Sequence, residues 1–269
     1  MGASPGIIGR AMLVAALFAA PAARMHADST VTSFEAAQRL FYTSKFAAAA
    51  DQALQLVTQS PSDLAAFELR ISALHFQIRR ASGSGKNRKA AMAACKTCPA
   101  LLEVFFAEIK RGRAAARQRL AEAPDDEQAM YYLAKMDTSY LFLQLSTVGK
   151  RTGWDEYWEA KRLLEDVLEK NPNHVRAQVA QAWMEYVIGK HVPWGTRWVM
   201  GGGSSDRGLR AMREAAAAPG DFYSEVEAEF ALWEMLMREG KRDEAVPVAR
   251  ELLVRFPENE ELAKFIADS

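Results

Sequence analysis

The chain has no run of about 20 apolar residues of the kind that crosses a bilayer, only two cysteines and four histidines in 269 residues, and hardly any alternation of β-branched with polar residues. Each shortage excludes something. Without alternation there is no strand signal, so the expected class is all-α. No two histidines stand at i, i+4 and none lies beside a cysteine, so no local zinc motif is present. His75 and His174 are read as solvated or capping residues. A Gly-x-Ser-x-Gly elbow is missing. Gly83-Ser84-Gly85-Lys86 has Arg80 where a phosphate loop needs its first glycine and Asn87 where it needs Ser or Thr. No catalytic constellation remains, so the expectation is a non-enzymatic protein without a cofactor. Thirty-four Lys and Arg balance 34 Asp and Glu, which argues against nucleic acid as a partner.

What is present begins with an export signal. Arg10 precedes the short apolar run 11–20, followed by Pro21 and small residues, as in a secretory signal peptide. Residues 1–27 are assigned to that segment and 28–269 to the mature domain. Cleavage is placed after Ala22, Ala23 or Ala27, and no cysteine near it would carry a lipid. The expected location is periplasmic or secreted, with no membrane span after cleavage.

The near-zero total charge conceals an asymmetry. Residues 79–119 hold eleven Lys or Arg against Glu103 and Glu108, and residues 220–269 hold thirteen acidic residues against six basic ones. Lys110, Arg113 and Arg117 share one helical face. That stripe suits a phosphate, a sulfate or an acidic protein, or it is a solvated face neutralised by acidic helices elsewhere in the chain.

Helical periodicity runs through the mature chain. Residues 30–60 read as one helical pair, and first helices follow at 64–80, 125–145 and 175–188. Val226 to Asn259 contains the most regular pair, with Leu232, Trp233, Leu236, Gly240, Ala245, Leu252 and Pro257 in register. Ala160 and Pro172 repeat the spacing of Ala245 and Pro257. A short last helix, 259–266, caps the end. The segment 140–145 is apolar almost all round, which predicts burial on both sides or a roof made by a loop.

On these residues the chain resembles the tetratricopeptide repeat (TPR) family, whose period is 34 residues. The resemblance implies a right-handed α-solenoid of four to five irregular helical hairpins that binds a protein or peptide along its concave groove and loop edge. More distantly, the chain resembles the repeat-containing T components of TRAP-type transport systems, which implies a small-ligand module instead.

Relative to the plain repeat, the excess length lies inside the pairs, at 81–99, 146–155 and 189–205, and stacking of repeats predicts that these insertions adjoin one another. The last is rich in tryptophan and glycine. Trp154, Trp158, Trp194 and Trp198, with Arg151, His191 and Arg197, are the candidate binding residues, either walling a pocket or packing the loops onto the helices. Cys95 and Cys98 form a Cys-x-x-Cys spacing before a long helix. Three readings stand: a local disulfide, a redox pair with a lowered thiol pKa, or free thiols with or without a shared metal.

Overall fold

The computed structural model describes residues 1–2, 33–83, 87–150 and 152–269. Residues 3–27 of the expected signal segment, including its expected cleavage positions, Ser84–Lys86 of the glycine-rich break and Arg151 lie outside the described residues. From Ser33 onward the chain belongs to one compact unit, all-α, with no strand among the described residues.

Five helical hairpins follow in order. They are α1 (Phe34–Tyr42) with α2 (Phe46–Gln59), α3 (Leu64–Ser82) with α5 (Cys98–Glu122), and α6 (Glu127–Phe142) with α7 (Trp154–Lys170). Then come α8 (Val175–His191) with α9 (Ser205–Ala217) and α10 (Phe222–Arg238) with α11 (Arg242–Arg255). The short helix α12 (Glu260–Ala267) closes the array, and the seven-residue α4 (Arg88–Ala94) sits within the second hairpin. Within and between hairpins each helix packs on the next, α4 excepted, and α1, α3, α6, α8 and α10 also pack on one another in sequence. That is a two-layer solenoid with the first helix of every hairpin on the inside.

Local chemistry explains the inner layer. Every inner helix starts from a side-chain cap: Ser33, Asp63, Asp126, His174 and Asp221 each accept a hydrogen bond from a backbone N–H of the first turn. Prolines 61, 124, 172 and 219 lie in the turns just before four of them, where a residue without an N–H cannot prolong the outgoing helix. Ala245 and Ala249 on α11 are wholly buried, as the repeat register requires.

The insertions also become structure. α6 continues as a π-helical turn, Leu143–Val148, which buries Leu143, Leu145 and Thr147. α4 packs against this turn, so the apolar segment is roofed by an insertion. His75 is buried here rather than solvated or capping: its Nε2 lies 3.1 Å from Thr147 Oγ1. Burial, with Arg79 nearby, holds its pKa down to about 3, so it is a neutral core residue. His174, by contrast, is a true cap.

The repeat pattern does not disclose how the array ends. The last hairpin comes back against the first. Tyr42 stacks on Phe230 at 5.2 Å and tilts onto Phe256 at 5.6 Å. The buried Asn259 donates to Tyr42 O at 2.7 Å while its Oδ1 caps α12. Arg39 pairs with Glu258 at 3.0 Å, and Arg80 with Glu261 at 3.3 Å. The solenoid therefore closes on itself after five hairpins.

Candidate functional site

Closure brings charges from four inner helices to the centre. Glu68 on α3, Lys135 on α6, Arg176 on α8 and Glu227 on α10 form one lattice with side-chain exposures of only 6 to 16%. Lys135 Nζ and Arg176 Nε each lie 2.5 Å from a Glu227 oxygen; Glu68 stands 4.0 and 3.6 Å from the same two cations. Burial alone would raise the Glu227 pKa, but Arg176 and Lys135 overcome it and hold the carboxyl near 2. Further along the same inner surface Glu234 joins Arg79 at 2.7 Å and Arg238 at 2.6 Å. The inner surface that the repeat resemblance assigns to a peptide is thus lined by the chain's own ion pairs. None of these residues was a sequence candidate. Apart from Glu234 and Arg238, which are four residues apart on α10, their partners are far apart in the chain, so each reads as a solvated charge.

Of the two readings of the basic stripe, the structure shows neutralisation by an acidic helix for two of its three residues. Arg113 donates to Glu156 at 3.0 Å and Glu159 at 3.4 Å, and Arg117 reaches Glu159 at 2.5 Å. Two of the three cations are therefore paired with carboxylates of α7. Lys110 shares with them a cleft of about 270 Å³ that also includes Phe106, Tyr140 and Glu156.

Beneath this cluster Asp137 on α6 is fully buried. Arg113 Nε lies 2.8 Å from its Oδ1 without the alignment of a hydrogen bond. Burial pushes the Asp137 pKa up to about 8 despite Arg113, with Glu159 also opposing ionisation, while Arg117 and Arg113 hold the Glu159 carboxyl below its usual range. Because the folded state retains a proton that the unfolded chain releases near pH 4, stability falls as pH rises from there to about 8, by at most about 1.4 kcal/mol per unit. Asp137→Asn, which cannot ionise, is expected to gain stability relative to the parent across that window. Guanidinium unfolding at both ends of the window measures this, and a difference independent of pH would mean that Asp137 is ionised in the fold.

The tryptophans do not converge on a walled pocket. α8 ends at His191, and a 3-10 turn, Trp194–Met200, leads back to α9. Arg197 Nε donates to Val192 O at 2.8 Å, and Trp198 Nε1 to Gly195 O at 3.1 Å, so the turn is internally braced. Two glycines let it return across α8: a Cβ on Gly189 would meet Ser205 N at 2.4 Å, and one on Gly203 would meet Ile188 Cγ2 at 2.4 Å. The rings project outward, with Trp194 85% and Trp198 78% exposed. Trp158 on α7 is also exposed, whereas Trp154 is half-buried against the core. His191 Nε2 lies 3.3 Å from Ser146 Oγ, joining the second insertion to the third. A side chain at Gly149 would meet Arg88 at 3.3 Å, joining the first to the second. The insertions adjoin in chain order.

A second cleft, of about 380 Å³, opens where α6, α8 and α10 begin, with Glu127, Tyr131, His174, Arg176 and Asp221 among its lining. The first cleft lies below the roughly 300–1,000 Å³ usual for small-molecule sites and the second lies within that range, toward its lower end.

Of the open readings of Cys95 and Cys98, the structure has the disulfide. It sits at the start of α5, at a corner where α4 and α5 are bent by 105°.

No family model and no curated protein matches this chain. Among solved structures it is similar to a thermophilic TPR protein of Thermus thermophilus, with 15% identity, a TM-score of 0.50, and coverage of 87% of this chain and 95% of that one. The likeness establishes a TPR-like fold.

Proposed function

We propose that this chain is an exported TPR-like scaffold that holds a protein partner in an extracytoplasmic assembly, and that the partner docks on the loop edge rather than in the groove. The observation that carries this is the outward presentation of Trp194 and Trp198 on a braced turn, beside an inner surface occupied by the chain's own ion pairs. Large aromatic rings left in water at fixed positions suit an interface centre, where Trp and Arg dominate binding energy. Arg197 lies between them in sequence, and Trp158 is exposed on α7.

Residues 1–27 act as the signal peptide and 28–269 as the mature domain in this reading. The Cys95–Cys98 disulfide supports an oxidising location, periplasmic or secreted. The small-ligand alternative, allied to the transport-associated T components, stands second because Trp194 and Trp198 face outward rather than lining a cavity, and neither cleft includes them. Among the described residues no single helix is long and apolar enough to cross a membrane.

The test is quantitative capture from native periplasmic extract with the parent and the Trp194→Ala, Trp198→Ala double variant, followed by mass spectrometry for proteins and small molecules. Loss of about 2 kcal/mol or more of affinity, roughly 30-fold, is expected for the specific protein partner, at an unchanged melting temperature. Equal capture by both chains, or recovery of a small molecule and no protein, would overturn the reading.

A further inference from the structure

The repeat fold has no use for a disulfide between residues three apart. A loop this short restrains the unfolded chain least among disulfide-closed loops, and α5 already carries Pro99 in its first turn, where proline suits a helix start. The two sulfurs are also placed unequally. Cys98 is fully buried, while Cys95 is partly exposed at the corner between α4 and α5. Only the Cys95 sulfur is therefore open to an incoming thiolate. The Cys98 backbone N–H points at Cys95 Sγ, with nitrogen to sulfur 3.2 Å, and Thr97 Oγ1 stands 3.7 Å from the same sulfur. Negative charge developing on Cys95 would meet one donor already in place, the N-terminal end of a 25-residue helix, and a chain with no Asp or Glu between Glu68 and Glu103. Lys96, Lys89 and Arg88 are the charged residues nearest to Cys95 in sequence.

We infer that Cys95–Cys98 is a thiol–disulfide exchange site, with Cys95 as the attacked sulfur and Cys98 as the buried partner, acting on an exported polypeptide that carries a pair of thiols. In the oxidising direction a substrate thiolate attacks Cys95 Sγ. The Cys95–Cys98 bond breaks, and Cys98 leaves with the electron pair and takes up a proton. The substrate's second thiol gives up its proton and attacks its own sulfur in the mixed disulfide, which releases Cys95 as a thiolate held by the Cys98 N–H. The substrate dithiol loses two electrons to become a disulfide, and Cys95 and Cys98 gain them. The N–H donor and the helix end stabilise the Cys95 thiolate, which favours the reduced form and makes the disulfide an oxidant rather than a staple.

Redox titration of the folded parent chain tests this without any substitution. Glutathione mixtures are equilibrated with the protein, quenched by alkylation and read by mass. Reduction by millimolar glutathione, with helicity retained, is expected; a structural disulfide resists that pool, and a bond that stays closed overturns the proposal. Cys98→Ser then isolates the Cys95 thiol. Its alkylation by iodoacetamide at pH 7 is expected to run about tenfold faster than that of free cysteine, with a midpoint below the usual 8.5 or so. Cys95→Ser leaves the buried Cys98 slower than free cysteine. An ordinary midpoint at Cys95, or equal rates at the two positions, also overturns it. Loss of exchange leaves the Trp194/Trp198 capture experiment untouched, so the two proposals fail separately.

Discussion

Glu227→Ala is expected to destabilise the folded chain by about 3–5 kcal/mol, because it leaves two buried cations, Lys135 and Arg176, without their shared carboxylate. Glu68 cannot replace it: its oxygens stand 4.0 Å from Lys135 and 3.6 Å from Arg176, beyond hydrogen-bond reach. Urea unfolding at pH 7 measures the loss, and a change under about 1 kcal/mol would show that the lattice is solvated. The same carboxyl predicts an acid response. Its folded pKa, near 2, lies below the usual carboxylate value near 4.5, so its contribution is present above that value and is lost as pH falls through about 2. The variant should therefore converge on the parent at low pH. Replacing Glu68, Lys135, Arg176 and Glu227 together with apolar residues of similar volume should restore much of the stability, since a buried network adds little beyond good apolar packing.

Ala245→Asp is expected to be at least as damaging. The residue is wholly buried on α11, in the hairpin that follows the repeat register most closely. An unpaired carboxylate there places the substitution among those costing more than about 4 kcal/mol. The consequence extends beyond one hairpin, because α10 carries Phe230, and the turn after α11 carries Phe256 and Asn259, all of which meet Tyr42 of the first hairpin. Limited proteolysis is expected to cut first within residues 239–269, with residues near Tyr42 becoming susceptible as well. A parent-like melting temperature and cleavage pattern would refute both the register and the closure.

These two variants separate two kinds of stabilisation. Ala245 belongs to nearest-neighbour packing, which a repeat array has at every step. Glu227 belongs to the closed centre, which the array has only because its ends meet. The centre also explains the choice of binding surface. A groove lined by paired charges has its polar groups already satisfied, so a peptide entering it would have to displace those pairs and meet their desolvation cost. Trp194 and Trp198 carry no such cost and lose only water on docking.

Legibility in the sequence followed the range of the interaction. The hairpins could be read because a helix face, an Asp or Ser cap and a closing proline all act within a few residues: Asp63, Asp126, Pro172 and Pro257 mark real boundaries. The disulfide was among the readings that its spacing left open. The stripe of Lys110, Arg113 and Arg117 was legible as a face, but Glu156 and Glu159 lie some forty residues away, and no periodicity links the two helices. The Trp-rich insertion was recognisable as irregular, while the direction of its rings was not.

The sequence by itself determined a helical repeat architecture and the places where the repeat is interrupted, since both follow from local periodicity, capping and turn chemistry. Only the tertiary structure decided that the array closes, that Glu68, Lys135, Arg176 and Glu227 fill its centre, and that Trp194 and Trp198 face solvent. Those outcomes depend on the small rotation each hairpin adds to the last. That rotation accumulates over five hairpins into contacts between residues more than two hundred positions apart, where sequence spacing carries no information about proximity.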